Sequence, residues 1–255
     1  VVEQKGARTI NQTLALISAM YKSAVNNEIV ETNPAKGIKK IEERSKKINP
    51  LTEDEVIRLL NSAKATFMES RLHIAFMGLR QGEALGLRWQ DIDFDNKLIN
   101  VSHQSQKVKG VRQLVKLKSA TSHRKVMLSE ATVDSLKRHK LILGRMRLLC
   151  GQNWVDNDLV FPNKNGGLQQ PKLDYVRWKE ALADEGISAR SLHNARHTAG
   201  TLLYSKGEGI ETIRRVLGHS SVSLTSRTYV HNADEPLREA AQTMNGIFSK
   251  TNHVA

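Results

Sequence analysis

Apolar positions recur at helical spacing along most of this chain and at strand spacing only in a short middle stretch. Leu14, Ile17, Tyr21 and Ala24 form one stripe, with Ser18, Lys22 and Asn26 off it, which predicts a helix over residues 9–26. Asn33-Pro34 ends that pattern, because the residue before a proline avoids the helical region. Residues 39–47 are dense in charge and poor in apolar side chains, so they read as a linker that runs to Pro50. Thr52-Glu53-Asp54-Glu55 is a capping box and opens a helix through Val56, Leu59, Leu60 and Ala63. A second helix passes through Leu72, Ile74, Ala75 and Leu79.

Strands are predicted over residues 98–101, 113–117 and 125–128, and a short one at Leu159-Val160-Phe161 before a turn at residues 162–167. Helices are predicted over residues 130–149, 174–184, 192–204, 211–217 and 235–248. The fold class expected is mostly α with a small antiparallel β-sheet, an α+β unit over residues 47–255. Residues 1–46 supply only one clear helix and a linker. They are too few to bury a core alone and read as part of a preceding domain.

Composition narrows the chemistry. Thirty-nine Lys and Arg against 26 Asp and Glu give a net charge of +13, so a polyanion is the first partner expected. Cys150 is the sole cysteine, which excludes an internal disulfide framework and a multi-cysteine zinc site. No apolar run reaches the roughly 20 residues of a membrane span, and the reading is of a soluble, intracellular chain without membrane partners. Phosphate-binding glycine loops, His-Glu-x-x-His and Cys-x-x-Cys are absent, which argues against P-loop hydrolysis and zinc chemistry. Asp91 and Asp93 are paired carboxylates, but their place between a helix and a strand favours turn and cap roles.

What remains is a set of cations and one tyrosine. Arg80 stands at the end of an apolar helix, His193 and Arg196 share a helix face, His219 follows Gly218 at a helix end, and Tyr229 lies ten residues on. Singly, each has a bland explanation as a surface pair, a helix cap or core filler. Together they fit a phosphoryl-transfer site without a metal: two arginines to clamp non-bridging oxygens, histidines to add donors, and a tyrosine as oxygen nucleophile.

In this order the motifs resemble the tyrosine recombinases, the phage-integrase family. Residues 78–93, Gly-Leu-Arg-Gln-Gly-Glu-Ala-Leu-Gly-Leu-Arg-Trp-Gln-Asp-Ile-Asp, are similar to the family's first arginine box. His193-x-x-Arg196-His197-Thr198 is similar to the second, and Leu217-Gly218-His219-Ser220-Ser221 and Thr228-Tyr229-Val230-His231 to the last two. Residues 117–128 are similar to the β-hairpin that carries the family's lysine, and residues 11–35 to the end of its core-binding domain. Departures are Ser119 for a usual threonine, Ala195 for a usual leucine and Met127 for a common proline.

The resemblance implies a catalytic domain over residues 47–255, preceded over 1–46 by the C-terminal part of a helical core-binding domain, in an N-terminally truncated mobile-element integrase. It implies cleavage and rejoining of DNA through a 3′-phosphotyrosyl intermediate, with neither ATP nor metal and no cofactor. Tyr229 would be the nucleophile, His193 its base or hydrogen-bond partner, Lys118 the acid for the leaving 5′-oxygen, and Arg80, Arg196 and His219 the transition-state donors. Lys116 lies two residues from Lys118 on the same strand face, so the lysine register stays open. Glu83 is an orienting partner for Arg80. The expected partners are double-stranded DNA bearing core-type recombination sites, further copies of the chain in a tetramer on DNA, and an excisionase or host DNA-bending protein. The expected location is the bacterial cytoplasm, on the nucleoid when bound. Rival readings are a type IB-like topoisomerase and a non-catalytic basic helical DNA-binding regulator.

Overall fold

The computed structural model describes residues 6–42, 49–117, 123–218 and Thr225. The chain divides into two compact units, Val1–Lys47 and Ile48–Ala255.

The first unit is built on helix α1 (Ala7–Asn26). The chain that follows is tied back to it by asparagines. Asn11 is buried, donates from Nδ2 to the Ile41 carbonyl at 2.8 Å and accepts from the Ile41 amide at 2.9 Å. Asn33 donates to the Ser18 carbonyl and caps the turn at Ala35.

The second unit opens with the expected capping box. The Thr52 hydroxyl accepts from the Glu55 amide and the Glu55 carboxylate accepts from the Thr52 amide, starting α2 (Glu53–Ser62). Helix α3 (Phe67–Phe76) stops three residues short of Leu79, where the periodicity had carried it. Gly78 then takes φ +83°, which turns the chain into α4 (Gln81–Leu85). This five-residue helix has no apolar period of its own and was not expected. Its seat is steric: a Cβ on Gly86 would lie 2.7 Å from the Gln104 backbone, so only glycine lets α4 approach the neighbouring strand.

The sheet is antiparallel in the order β1 (Ile92–Asp93), β2 (Leu98–Val101), β5 (Arg124–Met127), with Ile99 opposite Ile92 on one side and Val126 on the other. Between β2 and β5 a separate hairpin is inserted, β3 (His103–Val108) with β4 (Val111–Lys116), closed by Lys109 and Gly110 at positive φ. Strand β3 was not expected. Its sequence is polar, with Ser105 its one buried side chain, and backbone pairing to β4 holds it. Leu159-Val160-Phe161 forms only an isolated bridge beside Leu87–Trp89 rather than a strand.

Helices α5 (Glu130–Cys150), α6 (Pro171–Asp184), α7 (His193–Ser205) and α8 (Ile210–Leu217) complete the described part. The expected helix over 235–248 lies outside the described residues. One core sits between the sheet, α3, α4 and α5, around Ile74, Leu85, Ile99, Val126 and Leu136. A second joins α2, α3, α6 and α7 around Leu59, Leu72, Trp178 and Leu182. The two cores share α3, so the turn after it, which carries Arg80, is fixed from both sides.

Candidate active site

Arg80 stands at the N-cap of α4, not at the end of the preceding helix. Its guanidinium is partly exposed. Nη1 donates to Glu83 Oε1 at 2.8 Å and Nη2 to the Gly218 carbonyl at 3.1 Å, while its backbone amide donates to Glu83 Oε2 at 2.8 Å. Glu83 therefore orients Arg80, as expected. Burial alone would raise the Glu83 carboxyl, but Arg124 and then Arg80 outweigh it and hold it down at about 2.

Arg196 rises from the first turn of α7 and is almost wholly buried. Its Nη1 donates to the Gly78 carbonyl at 2.5 Å, in the turn that presents Arg80. His193 lies three residues earlier on the same face. Partial desolvation, then Arg196 and Arg80, lower its pKa and keep the imidazole neutral. The His197 ring stands edge-on to it, 4.6 Å between centroids, and is held down at about 4 by burial, His193 and Arg196. Arg80, His193 and Arg196 line one concavity of about 320 Å³, together with Gln81 and Tyr175. A larger hollow of about 530 Å³, between Ser62–Met68, Met146 and α6, holds none of the expected groups.

Of the six expected residues the structure thus brings three together. Lys118, His219 and Tyr229 lie outside the described residues. Lys116, the alternative to Lys118, is exposed at the end of β4 opposite His103. Asp91 and Asp93 do hold turns: Asp91 pairs with Arg88 at 2.9 Å, and Asp93 accepts from the Asn96 amide at 2.9 Å.

One neighbour of the site was missed in the sequence. Arg124, on β5, donates to both oxygens of Glu83 at 2.9 and 3.2 Å. Strand alternation carries its signal: Arg124 shares a face with the buried Val126, and an inward arginine demands a carboxylate. A second concavity, of about 310 Å³, is lined by His123, Arg124, Lys125, Arg214, Arg215 and Gly218, with no carboxylate on its wall among the described residues. No helix among the described residues is long and apolar enough to cross a membrane.

The chain is 28% identical over 265 residues to a "Tyrosine recombinase XerC-like" protein of Caldanaerobacter subterraneus subsp. tengcongensis, which covers 96% of this chain and 67% of that one. It is 33% identical over 138 residues to an "Integrase" of Saccharopolyspora erythraea, covering 54% of this chain and 31% of that one. It is 26% identical over 245 residues to the "ICEBs1 integrase" of Bacillus subtilis, covering 94% and 66%. The chain thus spans about two thirds or less of these relatives' lengths. Its fold is similar to that of the Tn1549 transposon integrase solved with a circular intermediate DNA, with a TM-score of 0.77 at 20% identity, covering 95% of this chain and 81% of that one. The description of the phage integrase family matches residues 49–236, and the chain belongs to that family of tyrosine recombinases.

Proposed function

We propose that this chain is the catalytic part of a site-specific DNA recombinase that cleaves and rejoins DNA through a 3′-phosphotyrosyl intermediate. The observation that carries the reading is the meeting of Arg80, His193 and Arg196 around one concavity, from sequence segments far apart. The net charge of +13 and the second, basic concavity support a DNA backbone as the ligand.

In this reading Tyr229 attacks the scissile phosphorus. A phosphotyrosyl ester forms, the bond to the 5′-oxygen breaks, and Lys118 gives that oxygen its proton. A tyrosine hydroxyl, with a pKa near ~10, is a weak nucleophile at neutral pH. His193 is held neutral and can accept its proton or hydrogen bond. Arg80 and Arg196 stabilise the negative charge that gathers on the non-bridging oxygens, and His219 adds a donor. Donors of this kind contribute about 3–4 kcal/mol each. Attack by the 5′-hydroxyl of a partner strand reverses the step, so ester energy is conserved and no ATP is consumed. Residues 1–46 act as the end of a core-binding domain on the same duplex. Strand exchange proceeds in a tetramer on DNA in the bacterial cytoplasm, with an excisionase or DNA-bending protein as accessory.

The test is a library of nicked duplexes with a randomised core. Duplexes covalently captured by the protein are sequenced, and the selected site is placed on two molecules. Recovery of recombinant joints supports the reading. Relaxation of supercoiled plasmid without joints supports the topoisomerase, and retention without covalent capture supports the DNA-binding regulator.

A further inference from the structure

We propose that Arg124 is a positioning residue of the active site, which fixes Arg80 and leaves the charge of Arg80 available to the phosphate. The proposal rests on the recombinase reading above.

Arg124 touches both groups that hold Arg80. The described bonds of the Arg80 guanidinium end on Glu83 and on the Gly218 carbonyl. Glu83 takes the Arg124 guanidinium on both carboxylate oxygens, at 2.9 and 3.2 Å. Gly218 packs directly on the Arg124 side chain: a Cβ there would stand 2.8 Å from Arg124 Cδ, at a φ of +63°. Arg124 Nε also donates to the Val216 carbonyl at 3.1 Å, in the last turn of α8. One side chain from the sheet therefore ties the start of α4 to the end of α8 and to Gly218, its C-cap.

The charge arithmetic points the same way. Glu83 is 1% exposed, so water does little to screen it. With Arg80 as its sole partner it would neutralise the cation meant for the phosphate. With Arg124 as a second partner the cluster keeps one net positive charge, and Arg80 is the member open to solvent: its side chain is 41% exposed against 6% for Arg124. The fork of Arg124 matters as well as its charge, because a lysine cannot span two carboxylate oxygens and a carbonyl together.

The experiment is a double-mutant cycle on covalent cleavage, with a nicked duplex selected from the randomised library and single-turnover rates. With DNA saturating, Arg124→Ala is expected to slow cleavage of the bound duplex by roughly thirtyfold or more, with Arg124→Lys in between. In the Arg80→Ala background, Arg124→Ala is expected to cost less than about threefold more. A methylphosphonate at the scissile position carries no charge, and on it the defects of Arg80→Ala and Arg124→Ala should shrink together. Multiplying defects, or an Arg124→Ala defect unchanged on the methylphosphonate, would overturn the proposal. Should Arg124→Ala melt below the assay temperature, the same cycle with Arg124→Lys and Arg124→Gln decides it by the same two criteria. Absence of cleavage by the unsubstituted chain would instead overturn the recombinase reading.

Discussion

The Arg196 guanidinium donates to the Gly78 carbonyl at 2.5 Å, and Gly78 stands two residues before Arg80. One carbonyl thus links two arginines that come from distant parts of the chain. The turn has no spare room, since a Cβ on Gly78 would lie 2.6 Å from Leu217 Cδ2 and the residue sits at φ +83°. Gly78→Ala should destabilise the fold by about 1–3 kcal/mol and slow cleavage. Gly186, at φ +64° with nothing within 4 Å of its Cβ position, is the control that carries the backbone strain alone. Urea denaturation of the two variants checks this, and equal losses would remove the steric part of the account.

Acid should unfold the chain in two stages. His139 is buried among aromatic rings, donates from Nε2 to the Val160 carbonyl at 2.6 Å, and burial holds it down at about 4. In the unfolded chain it titrates near ~6.5. The unfolded state therefore binds more protons between those values. The stability from keeping this ring neutral is complete above pH ~6.5 and is lost as pH falls towards 4, about 3 kcal/mol in all. His197, also held at about 4, adds in the same window. Glu83, held at about 2, adds stability that is complete above pH ~4.5 and lost as pH falls towards 2. His139→Leu should make the first stage shallower, leaving the part that His197 contributes, and leave the second unchanged, as read from urea midpoints between pH 7 and 2. An unchanged first stage would place its origin elsewhere.

Much of this architecture is legible in the sequence because local rules and packing agree there. Thr52 and Glu55 cap α2 as read, and His193 and Arg196 share a face because α7 is a regular helix. Strand β3 is hidden because its side chains are polar and its stability comes from pairing with β4. Helix α4 is hidden because five residues are too short for a period, and its seat depends on the absence of a Cβ at Gly86. Arg124 looks like one more surface cation in a basic run. Only the burial of Glu83, far away in sequence, gives it a role.

The leaving-group acid can be assigned chemically. Lys118→Ala should slow cleavage of an ordinary phosphodiester and be rescued by a 5′-thio leaving group, which departs without a proton. Lys116, exposed at the end of β4, should show no such rescue. Rescue of Lys116→Ala and not of Lys118→Ala would shift the assignment by two residues.

The central claim concerns Tyr229, and one measurement addresses it most directly: the denaturant-resistant protein–DNA adduct formed on a selected nicked duplex, with the attachment point mapped by mass spectrometry. Tyr229→Phe removes only the hydroxyl. The account predicts an adduct on Tyr229 in the unsubstituted chain, none in Tyr229→Phe, and DNA binding by the variant within about twofold. An adduct that persists in Tyr229→Phe, on any other residue, would contradict it.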